Sequence, residues 1–411
     1  MEQTFLTELR IEKVRHLHDI TIPLSKTERK NLILTGKNGS GKTSVLEELA
    51  WHINQVVFGN YTSLRECLDK AKFYKDAARE HPIGSDKRSE LLLESNRYSD
   101  KAARLQKQKL QYDFFAEWTY CDGTNNKFYD GEFVVAYYGD NRKLDISKVD
   151  HIQKIRLKDY YGINEKPSVE LGRYLVDLES TKAFAIAKGD LTRVSQIEKW
   201  FTRFENILRR IYGEPSLKLD FNIDTFQFSI LIDGREPFDF NTMSMGYAAV
   251  FDIVADLMMR MESQRRYDLE GIVLIDEIET HLHVELQKQI VPILTELFPN
   301  IQFILTTHSP FILNSAPNAV IYDLENRILV EEGMENLSYE GILDGYFEVD
   351  RFSQKLRKAF EEYKQLVTSA NLSDLDYARI AELEDYLDEV PDYLALDFAH
   401  EYSRLKAEFD S

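Results

Sequence analysis

Cysteine is scarce. Cys67 and Cys121 are the two in 411 residues, and no CxxC pair exists. That excludes a disulfide scaffold and a cysteine zinc site, and it leads us to expect a reduced, cytoplasmic protein. Positive charge is also in deficit, with 51 Lys and Arg against 70 Asp and Glu and a formal net charge of −19. A surface that coats DNA regardless of sequence needs the opposite balance. No apolar run is long enough to cross a bilayer or lead a secreted chain, and the opening MEQTFLTELRIEKV is charged throughout, so no membrane role is expected. What is abundant is core-forming material. Hydrophobic residues at 43% and aromatics at 12% exclude a disordered chain and allow more than one compact unit.

The chain is organised around Asn31 to Ile53, NLILTGKNGSGKTSVLEELAWHI. Leu32, Ile33 and Leu34 read as a buried strand, and Val45, Leu46, Leu49, Ala50 and Ile53 recur at helical spacing. Between them lies the glycine-rich turn Gly36-Lys37-Asn38-Gly39-Ser40-Gly41-Lys42-Thr43, followed by Ser44. Strand, loop and helix in that order are a P-loop in its proper setting. Its glycines allow backbone N–H groups to turn inward onto phosphate oxygens at the helix N-terminus. Lys42 then reaches the β- and γ-phosphates of ATP, and the Thr43 hydroxyl holds Mg²⁺.

Along the chain, Phe5, Leu9 and Ile11, then Ile20, Ile22 and Leu24, mark two strands with Val14-Arg15-His16 between them. We expect segments 1–60, 61–111, 112–215, 216–330 and 331–411. The second is a helical hairpin broken at His81-Pro82-Ile83-Gly84-Ser85, and the last is helical and acidic. Arg142 to Lys158 carries six cations, but Asp140, Asp145, Asp150 and Asp159 flank or interrupt them, so it reads as a mixed solvated face. A local basic groove is the competing reading there.

Three further stations carry chemistry. Ile272 to Glu277, IVLIDE, is an apolar strand delivering two acids at its tip. Asp276 suits a Mg²⁺ ligand, and Glu277 suits the base that orients and deprotonates water. Strand Gln302 to Leu305 ends in Thr306-Thr307-His308-Ser309-Pro310, where His308 can donate to a γ-phosphate or serve as a structural histidine. In FNTMSMGYAAV, Ser244 and Gly246 open an apolar helix, either with Ser244 as an ordinary N-cap or as a second phosphate-binding terminus offered to a nucleotide on another subunit.

In this order the four stations resemble the ABC-type ATPase family, and within it the RecF, Rad50, SMC and overcoming-lysogenization-defect (OLD-like) branch. The run Asp276-Glu277-Ile278-Glu279-Thr280-His281-Leu282-His283 resembles the OLD-like members in particular. The likeness covers residues 1 to 60 and 220 to 325. It implies an α/β fold: a P-loop ABC-ATPase head with a mixed sheet flanked by helices, an antiparallel β subdomain, a helical insertion and a helical C-terminal extension. By the same likeness Gly36 to Thr43 is Walker A, Asp276 and Glu277 are Walker B with its catalytic glutamate, and His308 is the switch histidine. Ser244 and Gly246 stand for the signature motif, although Met243, Met245 and Tyr247 depart from it. Asn141 or Arg142 falls at the Q-loop position, and Arg15 resembles the basic residue near the nucleotide base.

The resemblance implies ATP-dependent pairing of two copies, or a higher homo-oligomer. It also implies a separately encoded effector, a nuclease, in anti-phage defence. The competing functions are a RecF-like repair ATPase that binds DNA directly and an ATP-binding scaffold with little turnover. His281 and His283 also offer two ligands toward a zinc site, and Glu382, Glu384, Asp385, Asp388 and Glu389 offer the acids of a metal nuclease or simply a solvated face.

Overall fold

The computed structural model describes residues 3–59, 64–109, 114–119, 123–140, 142, 144–146, 149–331, 354–369, 373–388, 402, 404–406 and 409. Two compact units are formed, Met1–Asn336 and Leu337–Ser411.

In the first unit, β1 (Leu6–Val14) and β2 (Leu17–Pro23) form a hairpin, and β3 (Asn31–Thr35) leads into α1 (Lys42–Val57). Helices α2 (Leu64–Arg79) and α3 (Asp86–Lys109) pack on each other, with Tyr74 stacked on Tyr98 and the Ser95 hydroxyl donating to the Ala71 carbonyl at 2.8 Å. Then come β4 (Phe114–Trp118), the short α4 (Thr124–Tyr129) and β5 (Phe133–Tyr138). Helices α5 (Leu171–Lys188) and α6 (Leu191–Tyr212) follow, and then the hairpin β6 (Lys218–Asn222) and β7 (Gln227–Leu231). The last stretch alternates: α7 (Met245–Glu262), β8 (Glu270–Ile275), α8 (Val284–Leu297), β9 (Ile301–Thr306), α9 (Pro310–Ser315), β10 (Ala319–Asp323) and β11 (Ile328–Val330).

Six strands make the central sheet in the order β11-β10-β3-β9-β8-β5, parallel except for the β11 edge. Strands β3 and β9 are buried along their whole length, which is why their centres, Leu32 to Leu34 and Phe303 to Leu305, read as apolar runs. Helix α1 is clamped between two sheets. Its Val45, Leu46, Leu49 and Ile53 share one core with Leu32, Leu34, Ile272 and Leu274 of the central sheet and with Leu9, Ile11, Ile20 and Ile22 of the antiparallel sheet β2-β1-β4. Gln302 staples the two sheets. Its fully buried amide accepts from the Leu6 N–H at 2.8 Å and donates to the carbonyls of Leu6 and Lys30. The head is thus an α/β structure with a mixed sheet, an antiparallel sheet and a helical hairpin.

In the second unit, helices Gln354–Val367 and Asp374–Asp388 bury Tyr363, Ile380, Leu383 and Leu387 together.

Candidate functional site

The P-loop leaves β3 at Gly36 and enters α1 at Lys42, with Gly36, Gly39 and Gly41 at φ of 128°, 85° and 97°. Only glycine adopts such angles without strain. Space is short too. A Cβ on Gly36 would stand 2.9 Å from Ser40 Oγ, and one on Gly41 would stand 2.8 Å from Leu17 Cδ1. That second contact brings the β1–β2 turn, with exposed Arg15 at φ 53° and His16, against the P-loop.

Lys42 is buried, and its Nζ donates to the carbonyls of Gly36 (2.9 Å) and Lys37 (3.0 Å), inside the curve of the loop. Burial lowers its pKa, against the pull of Glu277, Glu279, Asp276 and Asp323. Lys37, Asn38, Gly39 and Thr43 are exposed, whereas Ser40 and Ser44 are buried. On the outer rim, the Lys37 N–H and Nζ both donate to Glu325, at 3.1 and 3.0 Å.

At the end of β8, the buried Asp276 accepts from Thr306 Oγ1 at 2.5 Å, and the Glu277 N–H donates to the same hydroxyl at 2.7 Å. Glu277 takes φ 44°, an uncommon angle for a non-glycine residue, and its half-exposed carboxylate lies 4.0 Å from His308 Nε2. The His308 N–H donates to Glu279 Oε1, while Glu279 Oε2 is buried without a hydrogen-bond partner. Burial and then the Lys42 charge lower the His308 pKa, which favours the neutral ring. These groups gather at the carboxyl ends of parallel strands β3, β8 and β9, where open α/β sheets place their ligands.

Arg142 departs from the sequence expectation. Its neighbours in the chain predict a solvated face over Arg142 to Lys158, yet Arg142 is buried. Its guanidinium donates to the carbonyls of Asp276 (2.6 Å), Glu277 (2.7 Å), Ile278 (3.3 Å) and Gly139 (3.3 Å). Carbonyls convergent on one planar fork outweigh the desolvation cost that an isolated cation would carry. The fork grips the turn that carries Glu277. Asn141, the alternative for the Q-loop position, lies outside the described residues.

At the head of α7, Ser244 occupies the N-cap position with extended backbone but makes no side-chain cap bond, so the ordinary N-cap reading fails. Ser244 is exposed, and Met245 beside it is 66% exposed. Gly246 faces inward. A Cβ there would stand 3.2 Å from both the His281 carbonyl and Leu286 Cδ1, which ties the start of α7 to the turn after Glu277. Tyr247 stacks on Tyr212 with centroids 4.1 Å apart and meets the His283 ring edge-on.

His283 Nδ1 accepts the Leu286 N–H at the start of α8, and among the described residues no three His, Cys, Asp or Glu side chains form a metal cluster. The zinc reading therefore has no third ligand there. In the second unit, Glu384 accepts from the Tyr363 hydroxyl and Glu382 pairs with Arg379. The side chains of Asp385, Asp388 and Glu389 lie outside the described residues.

Residue patterns alone assign no role to Thr306, Glu279 or Glu325. Thr306 carries a signal nonetheless, a hydroxyl at the tip of the strand preceding His308.

The sequence matches the family described as "AAA domain, putative AbiEii toxin, Type IV TA system" over residues 32–314, from β3 to α9. The chain belongs to that family and carries its ATPase domain. "Septu protein PtuA" of Bacillus mycoides (strain KBAB4) is 25% identical over 403 residues, covering 94% of this chain and 51% of that protein. "Retron Ec83 probable ATPase" of Escherichia coli is 34% identical over 147 residues, covering 34% of this chain and 27% of that protein. The chain thus spans about half or less of the length of these curated relatives. Among solved structures, an SMC head bound to the C-terminal winged-helix domain of ScpA aligns with 81% of this chain and 100% of its own, at a TM-score of 0.38 and 13% identity, too weak a likeness to bear on function.

Proposed function

We propose that this member of the AAA-domain family is an ABC-type ATPase subunit in which two copies pair on ATP, each P-loop facing the Ser244 turn of the other. The pairing controls a separately encoded effector, a nuclease, in anti-phage defence. The observation that carries the pairing is Ser244 itself, which stands exposed at the head of an 18-residue helix with its hydroxyl unspent on that helix. A terminal phosphate held by the P-loop of one copy and the α7 N-terminus of the other would join them, and its loss would loosen them.

The loop fits a triphosphate. A Cβ would crowd its neighbours at Gly36 and Gly41, and the Lys42 ammonium already lies within the curve. The Thr43 hydroxyl and the Asp276 carboxylate would hold Mg²⁺, which favours oxygen donors of this kind. When bound, that ion supplies neutralisation of phosphate charge. Within the chain, Glu277 is the acceptor for a proton of the attacking water, and Thr306 and Arg142 fix its backbone. The neutral His308 ring, 4.0 Å from Glu277, donates toward the departing phosphate. The relatives' names, a Septu protein and a retron ATPase, support the defence setting.

Light scattering on Glu277→Gln with and without ATP tests this reading. A nucleotide-dependent doubling of mass is expected, together with a loss of turnover of about 100-fold or more. Ser244→Arg should abolish the doubling while each copy still binds ATP. A Glu277→Gln protein that stays monomeric with ATP, or hydrolyses it at the parental rate, overturns the reading.

A further inference from the structure

Where α7 ends, it lines with α5 and α6 an open cleft of about 330 Å³, within the size range of small-ligand sites. Its floor is Glu262, 5% exposed and the last residue of α7. Three aromatic side chains donate to that one carboxylate: the Tyr174 hydroxyl at 2.7 Å, Trp200 Nε1 at 2.8 Å, and the Tyr267 hydroxyl. A buried acid whose hydrogen bonds are all taken by ring donors acts as a jig, fixing flat apolar faces around a space. Trp200 is braced from behind by Phe204, stacked at 5.2 Å.

The rim is cationic. Arg193, Lys199, Arg203 and Arg265 line the opening, and Glu262 is the sole acid among the lining residues. No carboxylate of the described residues forms an ion pair with any of the four, in a chain whose formal net charge is −19. Arg203 lies instead on the Tyr267 ring, 3.8 Å from its centroid, presenting a guanidinium layered on an aromatic face.

A rim of cations with no carboxylate within ion-pair distance selects phosphate, and guanidinium groups match its oxygens with their fork. Ring walls select a flat aromatic group, which stacks on them whatever its hydrogen-bonding edge. One ligand chemistry satisfies both. We propose that this cleft binds a nucleoside phosphate, base against the partly exposed Trp200 ring and phosphate on the cationic rim, either as a free nucleotide or as a unit of a nucleic-acid strand. It is distinct from the P-loop site, since none of its lining residues belongs to the P-loop or to Asp276, Glu277 or His308.

The test is calorimetric titration of the full chain carrying Lys42→Ala, which weakens uptake at the P-loop, with 5′-dTMP and with a 5′-phosphorylated eight-nucleotide oligothymidylate. Saturable binding with Kd below about 1 mM is expected. It should weaken tenfold or more in Arg193→Glu/Lys199→Glu, which alters only the rim side chains of α6. Arg265→Glu, on the segment after α7, should do the same if the double variant misfolds. Equal affinity for the two probes identifies a free nucleotide, and a tenfold preference for the oligonucleotide identifies a strand. No saturable binding of either probe, or binding indifferent to both rim variants, overturns the proposal.

Discussion

Thr306 and Asp276 are joined by a hydroxyl-to-carboxylate hydrogen bond of 2.5 Å, and the same hydroxyl oxygen accepts the Glu277 N–H. One side chain on β9 thereby sets the orientation of the acid proposed to hold Mg²⁺ and of the backbone that carries the proposed base. Thr306→Val keeps the shape and removes both bonds. ATP turnover should fall about 10- to 100-fold with the fold retained, as for other partners that orient a metal ligand. Steady-state hydrolysis beside circular dichroism checks this.

Arg142→Lys retains the charge but replaces a planar fork with a point donor. Of the carbonyls of Asp276, Glu277 and Ile278 it can satisfy fewer, and the rest stay buried. Stability should drop by about 2 kcal/mol in denaturant unfolding, and hydrolysis should slow in parallel. A variant with parental stability and rate would leave Arg142 without the clamping role assigned above.

Gly246→Val would press a branched side chain toward the His281 carbonyl and Leu286, both 3.2 Å from the Cβ position. Overpacking of this kind costs about 1–3 kcal/mol. The expected result is a lowered Tm with impaired hydrolysis, since the displaced turn follows Glu277 in the chain. Tyr247→Phe keeps the stack on Tyr212 and should change neither.

His52 makes the first unit sensitive to acid. It is 3% exposed, its Nε2 accepts the Trp118 indole N–H at 3.4 Å, and burial pushes its pKa down to about 4. The unfolded chain takes up a proton near pH 6.5, whereas the folded one resists until about 4. The stability linked to His52 is therefore whole above pH 6.5 and lost progressively as pH falls toward 4, by up to about 3 kcal/mol. Urea unfolding of the parent and of His52→Gln across that window should show the slope flattened in the variant.

Local patterns are the ones legible from residues. Asn31 to Ile53 announces strand, turn and helix because glycine spacing and apolar periodicity are read within one short window, and IVLIDE announces a buried strand with acids at its tip. The place of Thr306 at a strand tip is legible, but its role is not, because its partners, Asp276 and Glu277, lie 30 and 29 residues away. Arg142 misleads for the same reason at longer range. Carbonyls more than 130 residues downstream decide that its charge goes inside, while its neighbours in sequence suggest a wet face. Helix α4 is hidden as well. It begins after Gly123 with Thr-Asn-Asn, weak helix formers, and tertiary packing of Phe128 holds it.

Strand β3 lies between β9 and β10, so both of its edges are filled by chain that follows it by more than 260 residues. During synthesis the amino-terminal segment must emerge, wait with its backbone groups unpaired, and be claimed only after residue 323 has left the ribosome. A truncated product ending before β9 would hold every residue of the P-loop and the antiparallel sheet, yet lack both strands that pair with β3. Closure of the central sheet around the P-loop strand is therefore a late event, complete only once β9 and β10 are present.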